Sequence, residues 1–414
     1  MEASSSASAF PEMPIPAHVP PNLVRRDFPF IFGMITEKNP FSELADAVHE
    51  GPEVFYAPHA YPGGTPAWIF RRAEDLRKIY YDTENFSPRD FSPFAKLIGE
   101  SWINSPVELD PPHHGAFRSM VNPIFTPKAM ALLEDRIRSY ACEYIDRFAA
   151  RGACEFMGDF AFEFPIRVFM ELMGLPHERT AEFLDWEMNL LHNHDLSKIA
   201  AATRSVVDYL REQIEDRKRN PGTDLFSYAV QAKVEGRPLT DDELVGFTFN
   251  LFIGGLDTVS TNMGLHFWHL ATHPEDQATL RAHPDQIPNA IEELMRAYGA
   301  VTTFRTCVNE TVIRGVTIKP GDKIAMSTTL AGRDESEFPD PTRIRFDRRP
   351  RHVGFGYGPH ICVGMHLARR EMRIAMEEFL SRVPEFRLMP GHDVRCHLGM
   401  IQPVELPLVW GAAH

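Results

Sequence analysis

Phe355-Gly356-Tyr357-Gly358-Pro359-His360-Ile361-Cys362-Val363-Gly364 is the stretch on which the reading of this chain turns. Glycines flank one cysteine, and a helical pattern, GMHLARREMRIAMEEFLSRV, follows at once. Glycine permits tight turns and close approach of the backbone to a bulky partner. A cysteine at the start of a helix meets amide N–H groups and the positive end of the helix dipole, both of which favour a thiolate. Such a thiolate suits a metal ion or a cofactor iron. The plainer alternative is a small buried cysteine after a Gly-rich turn.

Upstream, Thr240-Asp241-Asp242-Glu243 forms a capping box, and the helix it opens is expected to run to about Thr272. At ~1.5 Å per residue that is about 45 Å, long enough to cross a globular protein and be buried for much of its length. Within it lie Gly254, Gly255, Asp257 and Thr258. Two interior glycines cost about 1 kcal/mol each against alanine, and a Thr hydroxyl back-bonding to the previous turn loosens the ladder. The pattern predicts either close helix packing with a kink, or a local opening against something flat. An acid beside an alcohol could then relay protons. Asn250 shares the face of Gly254 and Thr258.

The periodicity predicts further helices over about 130–152, 160–173, 178–192, 197–219, 224–235 and 289–298. Short strands are expected over 50–70, 311–327 and 384–410. The chain reads as mainly α with a minor β portion, in one large domain from residue 23 to 414. Residues 1–22 hold no Lys or Arg and no apolar core, so they read as a mobile tail rather than a signal peptide. The apolar stretch from Leu244 to Leu256 is too short to span a bilayer.

Composition narrows the function. Of 414 residues, 43 are Lys or Arg and 57 are Asp or Glu, a net charge of −14, opposite in sign to most nucleic-acid binders. The five cysteines form no C-x-x-C pair or zinc spacing, so neither a disulfide scaffold nor a zinc finger is expected. His266, His269 and His273 share a helix at i, i+3, i+7 but read as packed helix histidines. His192 and His194 point to opposite sides of a helix and suggest no site.

F-x-x-G-x-H-x-C-x-G, matched at Phe355, Gly358, His360, Cys362 and Gly364, is similar to the haem-binding signature of the cytochrome P-450 monooxygenases. The resemblance implies haem b between the long central helix and the Cys-loop helix. Cys362 would be the proximal thiolate on iron, where it favours O–O cleavage. Phe355 would pack near the sulfur, and His360 would reach a propionate. Glu293-Leu294-Met295-Arg296 resembles the family's E-x-x-R helix, which implies a buried structural pair with Arg348 or Arg349 as a third partner. Asp110-Pro111-Pro112-His113-His114-Gly115-Ala116-Phe117-Arg118 resembles its D-P-P-x-H-x-x-x-R segment, whose His and Arg hold propionates. Arg305 matches a further propionate-binding position.

GGLDTV resembles the oxygen-activation segment of the camphor-hydroxylating bacterial members. That implies catalytic roles for Thr258, as a hydrogen bond to activated oxygen, and for Asp257, as a proton donor. Val301, Thr302, Met400 and Ile401 match substrate-contact regions, and Asn250 and Gly254 join them on the central helix. Camphor hydroxylases carry a Tyr where this chain has Trp102, which disfavours camphor. The expected substrate is a compact terpenoid, norisoprenoid or small aromatic.

No G-x-G-x-x-G follows a strand, so electrons are expected to come from a separate protein. The expected partners are O2 and a [2Fe–2S] ferredoxin with its NAD(P)H-dependent reductase, serving a cytoplasmic monomer that binds neither nucleic acid nor membrane. Arg118, Arg369 and Arg370 are the expected docking patch for an acidic ferredoxin. Two alternatives stand beside this. One is a peroxide-driven haem-thiolate enzyme, which could dispense with the Asp257–Thr258 pair. The other is a non-enzymatic haem or hydrophobic-ligand binder.

Overall fold

The computed structural model describes residues 13–193 and 195–411. Its axis is the helix Asp241–Thr272, whose capping box forms as the sequence requires. The Glu243 N–H donates to Thr240 Oγ1 at 3.2 Å, and the Thr240 N–H donates to Glu243 Oε2 at 2.7 Å. The helix runs unbroken through Gly254 and Gly255. Its ladder tolerates the glycines because packing, rather than propensity, supplies most of its stability.

Two apolar clusters share this helix. Leu244 to Leu256 belongs to one, with residues from the helices Glu163–Met173, Thr180–Leu191 and Leu196–Arg219. Val259 to Ala271 belongs to the other, with the helix Met365–Arg382 that follows Cys362. There Phe267 meets Phe379 edge-on, ring centroids 4.9 Å apart. Asp257 and Thr258 sit at the seam between the clusters. By length and composition alone the central helix could cross a bilayer, but 67% of its apolar stretch is buried inside the protein, as in a core helix.

The β portion is small. Five strands form the largest sheet, in the order Val54–Tyr61, Thr65–Phe70, Lys323–Ser327, Thr302–Cys307, Phe86–Ser87. Arg305 is paired opposite Ile324 in this sheet, so its position is fixed by strand register. The expected tail strands are present as Phe386–Leu388, Cys396–His397, Gln402–Pro403 and Pro407–Trp410.

Two expectations need correction. The run over 224–235 is helical only for Leu225–Gln231; a hairpin of Lys233–Val234 with Arg237–Pro238 follows, turning on Glu235 and Gly236 at φ 53° and 82°. The tail expected to be mobile to residue 22 packs earlier. Residues 1–12 lie outside the described residues, but Val19 is buried in an apolar cluster and His18 Nε2 lies 2.8 Å from Asp322 Oδ2.

The long segment between the sheet and Cys362 has little regular structure, and one buried ion pair anchors it. Glu293 and Arg296, on the helix Ile287–Ala297, are both fully buried. Arg296 Nε and Nη2 donate to the two Glu293 oxygens at 2.9 and 2.8 Å. Its Nη1 donates to the carbonyls of Gly332 and Pro341, each at 2.7 Å. Glu293 Oε1 also accepts from Arg348 Nε and from the Arg345 backbone N–H, each at 3.1 Å. Arg348, not Arg349, is therefore the third partner. A buried pair offsets its desolvation only when its remaining hydrogen-bonding capacity is used, as it is here. Arg296→Ala is expected to cost about 3–5 kcal/mol by stranding a buried carboxylate, read as a fall in the urea midpoint. Arg349→Ala, exposed on the same segment, is expected to change stability by less than about 0.5 kcal/mol.

Candidate active site

The cysteine loop is built by glycines that adopt left-handed backbone. Gly356 and Gly358 have φ of 70° and 65°, a region costly for other residues. They fold the loop so that the Cys362 N–H donates to the Phe355 carbonyl at 2.8 Å. The helix then starts at Met365, with Gly364 as its N-cap. Cys362 is exposed on one side and closely surrounded by protein on the others. Burial pushes its thiol pKa up, against the pull of the Gly364 and Met365 N–H groups and of Arg118 and Arg369. Those donors stabilise a thiolate, and a bound cation would complete the balance. The Phe355 ring lies under the Arg369 guanidinium, 4.5 Å from its centroid.

Beside this loop the structure assembles four basic groups from three segments: the helix His113–Val121, the strand Thr302–Cys307 and the cysteine loop. The His114 and His360 rings stack with centroids 3.8 Å apart. Each has a buried Nε2 without a hydrogen-bond partner. Arg118, from the helix His113–Val121, donates to the Ile361 carbonyl at 2.6 Å and to Asn122 Oδ1 at 2.8 Å. Arg305 is buried, donates to the Phe304 carbonyl at 2.7 Å and lies 5.4 Å from the Tyr80 ring centroid. Neither arginine has an ion-pair partner among the described residues. Burial and the two arginines hold the His114 pKa down to about 4. Burial, Arg305, His114 and Arg118 together hold that of His360 down to about 2. Buried donors without acids fit a bound group carrying two carboxylates, so the residues present suit the propionate edge of a haem.

The central helix turns its open face to the same region. Gly254 is exposed although it lies mid-helix, and a Cβ built there would meet nothing within 4 Å. The Thr258 hydroxyl donates to the Gly254 carbonyl at 3.1 Å. Asn250, half-buried one turn before Gly254, makes no side-chain hydrogen bond among the described residues. The C-terminal segment is brought close by the Ile401 N–H, which donates to the Ala300 carbonyl at 3.1 Å. This sets Met400 and Ile401 beside Val301 and Thr302. Met400 is half-buried, whereas Ile401 is part of the packed core.

Trp102 is committed elsewhere. Its indole N–H donates to Glu100 Oε2 at 2.9 Å, and its ring packs 4.7 Å from that of Phe249. Glu100 also accepts from Arg204 at 3.0 Å and from Arg211 at 2.7 Å, which ties this loop to the helix Leu196–Arg219. The indole N–H is therefore not free to replace the missing Tyr.

Asp257 faces the other way, into a buried polar network. His192 Nε2 is 3.0 Å from Asp257 Oδ2. Gln402 Nε2 donates to Asp257 Oδ1, and to Thr261 Oγ1 at 2.7 Å. His192, set aside on sequence, is thus a direct partner of Asp257, while His194 lies outside the described residues. Sequence separation hid these contacts; only Thr261, four residues from Asp257 on the same helix, was in reach of a periodicity argument. The other tempting histidines pack: His269 lies between Tyr298 Oη and Asp276 Oδ2, each at 2.8 Å, and His273 stacks on it.

The expected docking patch is also corrected. Arg369 makes a bidentate pair with Glu292 at 2.6 and 2.8 Å, and Arg370 pairs with Glu134. These charges are spent internally. Arg343, Arg349 and Arg351, exposed on the segment leading into the cysteine loop, have no ion-pair partner among the described residues.

Residues 30–398 match the family model described as Cytochrome P450. The chain is 40% identical to probable cytochrome P450 127A1 of Sinorhizobium fredii over 393 residues, covering 94% of each chain. It is 34% identical to mycinamicin IV hydroxylase/epoxidase of Micromonospora griseorubida, covering 84% of this chain and 91% of that one. The crystal structure of cytochrome P450 CYP101C1 superposes with a TM-score of 0.84 at 33% identity, covering 96% of this chain and all (100%) of that one. With the cysteine loop, the acid-free cluster of bases and the open helix face already in place, these likenesses make the chain a member of the cytochrome P450 family, a monooxygenase that carries thiolate-ligated haem b.

Proposed function

We propose that Cys362 is the thiolate ligand of the haem iron and that His114, Arg118, Arg305 and His360 hold the two propionates. The supporting observation is the cluster of two buried, unpartnered imidazole nitrogens and two arginines without acids beside the Cys362 loop. When bound, the haem supplies oxygen activation and insertion of one oxygen atom into an unactivated C–H bond. The chain's residues do the rest. The Phe355 carbonyl fixes the loop, and the Gly364 N–H supports the sulfur. Thr258 presents a hydroxyl where Gly254 leaves room, and Asp257 next to it supplies protons.

The substrate we infer is a compact hydrophobic molecule, a terpenoid, norisoprenoid or small aromatic. Phe249 and Trp102 are packed, the Trp102 N–H is taken by Glu100, and Asn250 is the free polar group on the open helix face. Asn250 would thus orient a single polar group on an otherwise apolar substrate. Electrons would come from a [2Fe–2S] ferredoxin and its NAD(P)H-dependent reductase, serving one catalytic domain that acts as a cytoplasmic monomer. With a net charge of −14, an acidic donor needs a local basic surface, and Arg349 and Arg351 replace Arg369 and Arg370 in that role.

Three outcomes follow from this reading. The dithionite-reduced protein with carbon monoxide is expected to show the red-shifted Soret band of thiolate-ligated haem, and Cys362→Ala to lose it; a histidine-type band in fresh wild-type protein refutes the ligand assignment. Asn250→Leu is expected to weaken binding of a ketone-bearing ligand about tenfold, one hydrogen bond's worth, and to leave its hydrocarbon analogue unchanged in spectral-shift titrations. Arg349→Glu with Arg351→Glu is expected to slow reduction by an acidic ferredoxin about tenfold at low salt; stopped-flow traces that match wild type exclude that surface.

A further inference from the structure

Two guanidiniums favour the thiolate form of Cys362, and the fold treats them differently. Arg118 has no acid partner among the described residues and belongs to the base cluster. Arg369, on the helix Met365–Arg382, is closed off by Glu292, the residue before the Glu293 of the buried pair. Arg369 Nε and Nη2 donate to the two Glu292 oxygens at 2.6 and 2.8 Å, a bidentate pair that fixes the guanidinium. The guanidinium lies over the Phe355 ring, 4.5 Å from its centroid.

Glu292 reaches Phe355 by a second route. The buried His352 accepts the Gly354 N–H on its Nδ1 at 3.0 Å, so its Nε2 carries the ring proton and donates to Glu292 Oε2 at 3.1 Å. The His352 ring centroid is 5.9 Å from that of Phe355. Gly354 is required here, because a Cβ would come within 2.9 Å of His352 Nδ1 and 3.2 Å of Met295 Cε. Phe355, whose carbonyl accepts the Cys362 N–H, is thus flanked by two groups that both end on one carboxylate. Burial works against ionisation of Glu292, but the hydrogen bonds of His352 and Arg369 and the Arg369 charge outweigh it and hold its pKa down to about 2. His266, on the central helix, feels both Glu292 and His352, but burial, with His269, holds its pKa down to about 3, so it adds no charge. The charge balance of the cluster is one carboxylate against one guanidinium.

We propose that Glu292 is a positioning residue that sets the reduction potential at Cys362: it seats Arg369 on Phe355 while cancelling the pull of that cation on the sulfur. This rests on the assignment of Cys362 as the haem thiolate. In the reduction one electron enters from an iron–sulfur ferredoxin, which is oxidised by one electron. The iron site gains one negative charge, and no bond to a residue is made or broken. A cation left unpaired beside the sulfur favours the added negative charge, and a carboxylate left unpaired opposes it. The paired state lies between the two, so Phe355 is held firmly without a bias in either direction.

Potentiometric titration of the holoenzyme at neutral pH tests this. Glu292→Gln is expected to shift the equilibrium about tenfold toward the reduced form, and Arg369→Gln about tenfold away from it, about 59 mV in each direction for one electron. The double variant, with neither charge, is expected to return to the wild-type midpoint, and Arg369→Lys, which keeps the charge, to stay near it. A purely structural pair gives shifts of one sign that do not cancel in the double variant, and that outcome overturns the proposal. If Glu292→Gln fails to fold, Arg369→Gln is compared with Arg369→Lys, and equal midpoints in those two overturn it. The reduced carbon monoxide spectrum separates the two assignments. A wild-type protein without the thiolate band refutes Cys362 as ligand, whereas a thiolate band kept in every variant with unmoved midpoints refutes only the role of Glu292.

Discussion

The buried pair of Glu293 and Arg296 is the constraint on which the rest depends. The segment from Gly332 to Cys362 is mostly turns and loops, so it has few ladder bonds of its own to hold it. Four of its groups instead end on this pair: the carbonyls of Gly332 and Pro341, the Arg345 N–H and the Arg348 guanidinium. Two charges inside a protein tolerate no missing partner, so the geometry of the segment is specified even where its backbone is irregular. The cysteine loop starts from a fixed point for this reason, and the glycines at 356 and 358 have only to complete the last turns.

The base cluster works in the opposite sense. His114 and Arg118 from one helix, Arg305 from a strand and His360 from the cysteine loop come together, and burial, with their mutual repulsion, holds both imidazoles neutral. Bringing them together costs stability that only an acidic group can return. The same protein thus joins a self-sufficient ion pair, which sets the loop, to an incomplete one, which selects what the loop receives. Its central helix divides along the same line: the residues on either side of Asp257 and Thr258 belong to different apolar clusters. The chemistry sits where neither cluster is complete.

Much of this was legible in the sequence because it is local. The capping box, the 3.6-residue period of the central helix and the glycines around Cys362 are short-range signals, and each appears where the sequence puts it. The E-x-x-R spacing marked a pair, but not whether Arg348 or Arg349 joined it, since that depends on how an irregular loop folds back. Gly254 and Gly255 do not end the helix because packing overrides propensity in a buried helix. The His192 and Gln402 contacts, and the use of Arg369 and Arg370 in internal pairs, were hidden for one reason. They join residues far apart in the chain, and no periodicity encodes such a contact. Helical direction alone gives His192 no role, but it caps the C-terminal end of the helix Thr180–Leu191 and reaches Asp257 from there.

The adjacency of Asp257 and Thr258 has a consequence for how the chain can vary in length. Neighbouring residues on an α-helix point about 100° apart, so one presents its hydroxyl to the open face and the other its carboxylate to the polar network behind. Inserting or deleting one residue between the Thr240 cap and this pair would turn both by that angle, away from the neighbours that each now meets. Loops such as the hairpin at Glu235 and Gly236 can lengthen without this effect. The stretch from cap to pair behaves as a ruler, and changes of length are tolerated around it rather than within it.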